Sequence, residues 1–173
     1  MTPRAAMPRA TFLALLLALL APAVAPGDSL LPLSAFPREK IAVETRSARR
    51  HVFEAWRADT PETRAQGLMF VASLTPEQAM IFVYAPAQHV SMWMKNTLIP
   101  LDMLFVDDAG CVVRVHERAR PGDLTSIESG GPVVLVVELA GGTAATLGLS
   151  RGDRVVRPDA GWPRGSRPCA SAR

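Results

Sequence analysis

The chain has 173 residues, with 19 basic and 16 acidic side chains and a formal surplus of three positive charges. Arg4 and Arg9 lie in an N-terminal segment that holds no acid, so the remainder is close to neutral. With no Lys/Arg run interleaved with aromatics, this balance argues against a nucleic-acid partner.

Residues 1–23 read as a secretory signal peptide. Arg4 and Arg9 supply the positive n-region, and Thr11 to Leu20 form an apolar stretch of about ten residues, too short for a free membrane-spanning helix. Ala21-Pro22-Ala23 offers the small-residue cleavage pattern, whereas a cut after Ala25 would leave Pro26 first. No Cys follows the apolar run and the two arginines are not adjacent, which argues against a lipid anchor and a twin-arginine signal. The expected location is therefore periplasmic or secreted, with no stable membrane span after cleavage. About 150 residues then remain, enough for one domain with an ordinary core.

Residues 24–40, rich in Pro and Leu, read as a linker or irregular lead-in to a single domain over 41–157. Ile41 to Thr45 and His51 to Ala58 alternate as a first hairpin. Thr60-Pro61-Glu62 starts a short helix, with a hydroxyl cap, Pro at the first helical position and an acid in the first turn; Gly67 ends it. Thr75-Pro76-Glu77 precedes an apolar strand from Met80 to Tyr84. The central segment runs as a strand through Met94, breaks between Asn96 and Pro100, and resumes at Leu101 to Val106. Asp107 to Gly110 then turns the chain into a strand from Cys111 to His116. Glu117 to Gly131 reads as a polar loop, and Pro132 to Leu139 as a buried strand. Thr143 is expected to cap a short helix ending at Gly148, before a last strand from Arg154 to Arg157. Many short strands with two or three short helices predict a mostly β protein, a compact small barrel or sandwich with a marginal α+β character.

Residues 158–173 form a C-terminal tail of Pro, Gly, Ser and Arg with little to bury. The only cysteines are Cys111 and Cys169, in a compartment that permits a disulfide. Such a bond would close a loop of about 57 residues and staple the tail to a strand. No C-x-x-C is present, so thioredoxin chemistry and a zinc knuckle are not supported.

The densest chemistry lies in Ser91 to Asp102. If residues 91–97 are extended, Trp93, Lys95 and Thr97 share one face and Met92, Met94 and Asn96 the other. Two readings stay open. In one, Trp93 floors a pocket for a small anionic or hydroxylated ligand, Lys95 supplies a point charge, and Asn96 or Thr97 orients the guest. In the other, Lys95 pairs with Asp102 or Glu138 while Asn96 and Thr97 satisfy turn carbonyls. Glu138, set inside Val133 to Leu139, needs a partner if its strand is dry. A buried ion pair with an arginine or with Lys95 is the plainer account, and an acid–base group of raised pKa the sharper one.

Two other patterns carry less. His89, Met92, Trp93 and Met94 combine donors that suit Cu(I), although Met and Trp in an apolar strand are more often core. No metal or cofactor is expected from the remaining residues. Gly148-Leu149-Ser150-Arg151-Gly152 matches the nucleophile elbow, but a helix precedes it, a strand follows, and no His lies beyond His116. A Gly-bounded turn is the better reading.

These residues resemble a family of small exported proteins known as domain of unknown function 192. The resemblance rests on Gly67-Leu68-Met69-Phe70, Met80-Ile81-Phe82, Trp93 to Asp102, Val137-Glu138-Leu139 with Gly141, and Gly148 with Gly152-Asp153. It runs from about Ile41 to Val156, with two departures: Val71 where the family usually has Arg, and Ala79 where it usually has Gly. It implies a compact β-barrel with short helices, and no reaction, cofactor or partner. The expected function is thus a non-catalytic small-ligand-binding or accessory module of the cell envelope. The alternative is a hydrolase or transferase on envelope carbohydrate with a carboxylate acid–base, and Cu(I) binding is a minor third. The candidate ligand-binding residues are Trp93, Lys95, Asn96, Thr97, Asp102 and Glu138.

Overall fold

The computed structural model describes residues 30–162 and 167–169. The signal-peptide segment and half of the tail lie outside them. Seven strands form one sheet: β1 (Arg38–Glu44), β2 (Arg50–Ala58), β3 (Gln78–Met92), β4 (Leu101–Val106), β5 (Val112–Ala119), β6 (Ile127–Ala140) and β7 (Arg154–Val156). Two short helices, α1 (Pro61–Gln66) and α2 (Thr143–Leu147), punctuate them. The strand order is β5-β4-β6-β3-β2-β1-β7, and only the β2–β3 pair is parallel.

The sheet curls into a half-barrel. Its two edges meet at one end, where Cys111 bridges Arg154. There Val112 N–H donates to Asp153 O (2.9 Å) and Val155 N–H to Gly110 O (2.8 Å). Curling buries both faces. Every strand contributes to one core, through residues such as Ile41, Phe53, Ile81, Leu104, Val112, Val137 and Val155. The opposite face packs Met80, Phe82, Met103, Phe105 and Val136 beneath Phe36, Leu68, Met92 and Met94. Alternation along β6 assigns Val137 and Leu139 to the first core and turns Val136 and Glu138 to the second face.

Local expectations hold where a side chain acts on its own backbone. Thr60 Oγ1 accepts the Thr63 N–H, and Gly67 ends α1. Asp107 Oδ1 accepts the N–H groups of Ala109 and Cys111, which shapes the turn before β5. Differences appear where long-range pairing takes over. The loop expected over Glu117–Gly131 is shortened from both sides, because β5 reaches Ala119 and β6 starts at Ile127. β3 continues past Tyr84 to Met92, with register shifts against β6 beside Pro86 and Pro132, which lack the N–H a regular ladder requires. The cap of α2 is Gly142, in a left-handed conformation, and Thr143 is already helical.

The lead-in is anchored: a 3-10 turn at Leu33–Ala35 precedes Phe36, which is only 2% exposed, and β1 begins at Arg38. The tail also buries more than its composition implies, since Trp162 exchanges backbone hydrogen bonds with Arg157 and packs on the barrel core. Cys111 and Cys169 form a disulfide with Cα atoms 5.3 Å apart. Arg167, two residues earlier, reaches Asp107 (3.3 Å) and Asp108 (3.0 Å).

Candidate functional site

A cavity of about 250 Å³ opens between α1 and the second face of the sheet. Pro61, Arg64 and Gln66 of α1 form one wall, and Gly67 to Met69 continue it. Phe82, Tyr84, Ser91 and Met92 of β3 form the other, with Trp93, Lys95 and Thr97 beside them and Glu138 of β6 in the lining. Gly67 makes the close approach possible: its φ is +51°, and a Cβ there would meet Phe82 Cζ at 3.0 Å.

Two sequence blocks meet at this wall. Phe70 N–H donates to Asn96 O (2.9 Å), and Asn96 Nδ2 donates to Met69 Sδ (3.8 Å). The parity expected for residues 91–97 survives only as far as Lys95. Met92 and Met94 are buried while Trp93 and Lys95 are exposed, but Asn96 adopts φ 56° and turns the chain. Thr97 N–H closes that turn on Met94 O (3.0 Å), so Thr97 is buried rather than aligned with Lys95. Lys95 Nζ lies 5.6 Å from the Trp93 ring centroid, a cation–π contact at a half-exposed indole.

Four of the six candidate residues, Trp93, Lys95, Thr97 and Glu138, therefore line one cavity. Asn96 sits outside the lining and works as the turn residue. Asp102 also stands apart: it is fully buried, and its carboxylate accepts the N–H groups of Arg118 (2.8 Å), Gly142 (2.9 Å) and Ala144 (2.7 Å). It thereby caps α2 and holds Arg118 in a positive-φ conformation, a structural task that leaves no contact with Lys95.

The ion pair expected for Glu138 is not formed. Among the described residues, neither Glu138 nor Lys95 has an oppositely charged group within 4 Å. The cause is register. On β6, Glu138 lies between Met80 of β3 and Met103 of β4, neither of which offers a charge. The residue is only 3% exposed, and burial pushes its carboxyl pKa up to about 8.

Arg64 and Tyr84 escape a sequence reading. The guanidinium lies 5.2 Å from the Tyr84 ring centroid, and Arg64 Nη1 donates to Asp59 O (2.7 Å) and Val83 O (2.9 Å). Burial raises the Tyr84 pKa to about 12, with Arg64 opposing and Glu138 adding to the shift. Its hydroxyl donates to Met92 Sδ (3.7 Å). Tyr84 is the only tyrosine in the chain, the one signal that could have drawn attention to it. Val71, at the position of the absent family arginine, packs against the second-face core, and Arg64 supplies the cavity with its second cation.

The four residues of the copper reading divide between the two sides of the segment. His89 and Trp93 are exposed, whereas Met92 and Met94 are buried on the other parity. Ser150 lies in a turn whose N–H donates to Asp153 Oδ2 (2.7 Å), between α2 and β7.

Fold and site together define a small curled-sheet β protein with a polar, aromatic-lined cavity on its outer wall. The chain belongs to the family domain of unknown function 192, described as an uncharacterized ACR, whose model matches residues 42–157. A Sinorhizobium meliloti 1021 crystal structure, provisionally described as a transcription regulator, is similar at 39% identity and TM-score 0.70. That match covers 71% of this chain and 95% of the other. A protein of unknown function from Novosphingobium aromaticivorans DSM 12444 is similar at 38% identity and TM-score 0.70, covering 74% of this chain and 91% of its own. No curated protein matches. Among the described residues, no helix is long and apolar enough to cross a membrane.

Proposed function

We propose that this protein is an exported, non-catalytic module of the cell envelope that binds a small ligand in the α1–β3 cavity. The observation that carries the reading is the convergence of an exposed indole, two cations and an almost fully buried carboxyl on one concave site. Glu138 sits on β6 and Arg64 on a helix capped at both ends, and the Trp93–Lys95 segment after β3 is closed by the Thr97 N–H to Met94 O turn bond, so the site is largely formed before a guest arrives. Export follows from the N-terminal signal pattern.

The carbohydrate-cleaving alternative draws on Glu138 alone. Acid–base cleavage of a glycosidic bond normally uses two carboxyl groups, and Asp102 spends its oxygens on backbone amides. Among the described residues, Glu138 is the only acid in the cavity lining.

A ligand screen by thermal shift, covering sugars, small carboxylates and Cu(I), tests the binding reading. Lys95→Met is expected to abolish the response to the ligand while leaving the fold intact. A folded Lys95→Met protein that keeps every response would sink the cavity as the binding site. For export, cell fractionation with N-terminal sequencing should find the mature chain outside the cytoplasm, beginning at Val24. An uncleaved cytoplasmic protein would refute this part.

A further inference from the structure

Glu138 is a polar side chain buried beyond nine-tenths, without a hydrogen-bonding or ionic partner among the described residues, and in contact with the cavity. A buried polar group left unpaired is costly, so a group of this kind facing a cavity marks a place for a guest's polar atom. The charged and titratable side chains around it come from every wall: Arg64 from α1, Tyr84 from β3 and Lys95 from the following segment. Its strand neighbours Met80 and Met103 bring none.

The charges choose the class of ligand. The lining holds two cations against a single acid, so the cavity stays positive whether or not Glu138 is ionised. A cationic guest would meet like charge on two walls, whereas an anion is favoured by both. An anion brought against Glu138 requires the carboxyl to be protonated, and it then meets an O–H donor. Short O–H···O⁻ bonds are among the stronger hydrogen bonds. The exposed Trp93 offers a flat apolar surface at the opening.

We propose that the ligand is a small organic carboxylate with a flat apolar body, bound with its anionic head against the protonated Glu138 carboxyl and its body against Trp93. This assignment rests on the cavity being a binding site and adds the ligand's chemistry and a proton coupling. Desolvation supports the protonated state, since a buried acid can remain neutral at physiological pH and act as a donor. The bound form needs that proton, so as long as the ligand itself is ionised its affinity should be constant below the acid's pKa and fall about tenfold per pH unit above it.

Benzoate, benzamide and benzylamine share one flat body and differ in charge, so titration calorimetry of the exported protein with all three separates the possibilities. Benzoate alone is expected to bind, with affinity level from about pH 6 to 8, where the ligand is fully ionised, and falling about tenfold per unit above pH 8, accompanied by proton uptake in that range. Glu138→Gln keeps a donor and should bind benzoate without that pH slope. Benzylamine binding that tightens as pH rises would overturn the proposal, since Glu138 would then be an anionic counter-charge. A pH-independent benzoate affinity in the wild type, or an unchanged slope in Glu138→Gln, would overturn it as well. Either result leaves a binding cavity of different chemistry. Failure of all three probes to bind, together with a blank sugar and carboxylate screen, would remove both the proposal and the reading beneath it. Should Glu138→Gln not fold, the wild-type slope and its proton uptake decide the matter alone.

Discussion

Asp102 Oδ2 accepts the Ala144 N–H at 2.7 Å, across 42 residues of chain, and this contact explains why a carboxylate can lie fully buried. With Gly142 and Arg118 adding their amides, the charge is met by three donors at the start of α2 and the end of β5. An amide in place of the carboxylate would aim an N–H₂ group at one or more of those donors. Asp102→Asn is therefore expected to lose about 3 kcal/mol of stability in urea unfolding, since hydrogen bonds to buried charge are the stronger kind. A loss below about 0.5 kcal/mol would deny the capping role.

Gly141, just after β6, lies close against Pro100, just before β4. Its N–H donates to Pro100 O at 2.8 Å, and a Cβ there would lie 2.8 Å from the Pro100 Cβ and 2.9 Å from its carbonyl. Gly141→Ala should cost about 1–3 kcal/mol through forced backbone movement, measured by thermal or chemical unfolding. An alanine tolerated without loss would mean that the two strands separate freely at this point.

The stability of the protein should depend on pH through Glu138. Burial raises its pKa from 4.5 to about 8, so the folded state holds a proton that the unfolded state gives up across that interval. Where the native state binds more protons, stability falls as pH rises, and the fall ends once the native carboxyl itself ionises. The total change attributable to this group is up to about 5 kcal/mol between the two pKa values. Glu138→Gln should flatten that part of the unfolding profile and be the more stable protein at pH 9. Parallel profiles for the two proteins would show that the carboxyl is not protonated when folded.

Joining Cys111 to Cys169 closes a loop with a sequence separation of 58. The chain-entropy account assigns such a crosslink about 4 kcal/mol. A Cys111→Ser/Cys169→Ser double variant should show that loss in denaturant unfolding. Ligand affinity should persist, because the cavity lining draws on none of residues 107–111 or 153–169. A loss of binding without a loss of stability would connect the tail to the site.

Much of the architecture is legible in short stretches, because a residue's own backbone and its nearest neighbours set it. The Thr60 cap, the Asp107 turn, the Gly148 stop and the apolar run before Glu138 all act within about one turn of chain. The family core from Trp93 to Asp102 is legible for another reason: its unusual residue order identifies the protein's relatives. One departure from alternation is also local: alternation predicts Thr97 beside Lys95, but the left-handed Asn96 reverses the side to which the chain points. The surroundings of Asp102 and Glu138 are set instead by long-range contacts.

The amino-acid order thus specifies a mostly β fold, its principal turns, its cysteine pair and the family to which it belongs. Each of these depends on hydrophobic period, cap chemistry or residue identity, all of them local quantities. Pairing register is different, because it depends on which strands meet. It isolates Glu138 between two methionines, gives Asp102 to backbone amides, and brings Arg64 and Tyr84 to the same cavity as Trp93. Side chains separated by tens of residues share an environment only when the sheet has curled, and that environment sets the charge of the site.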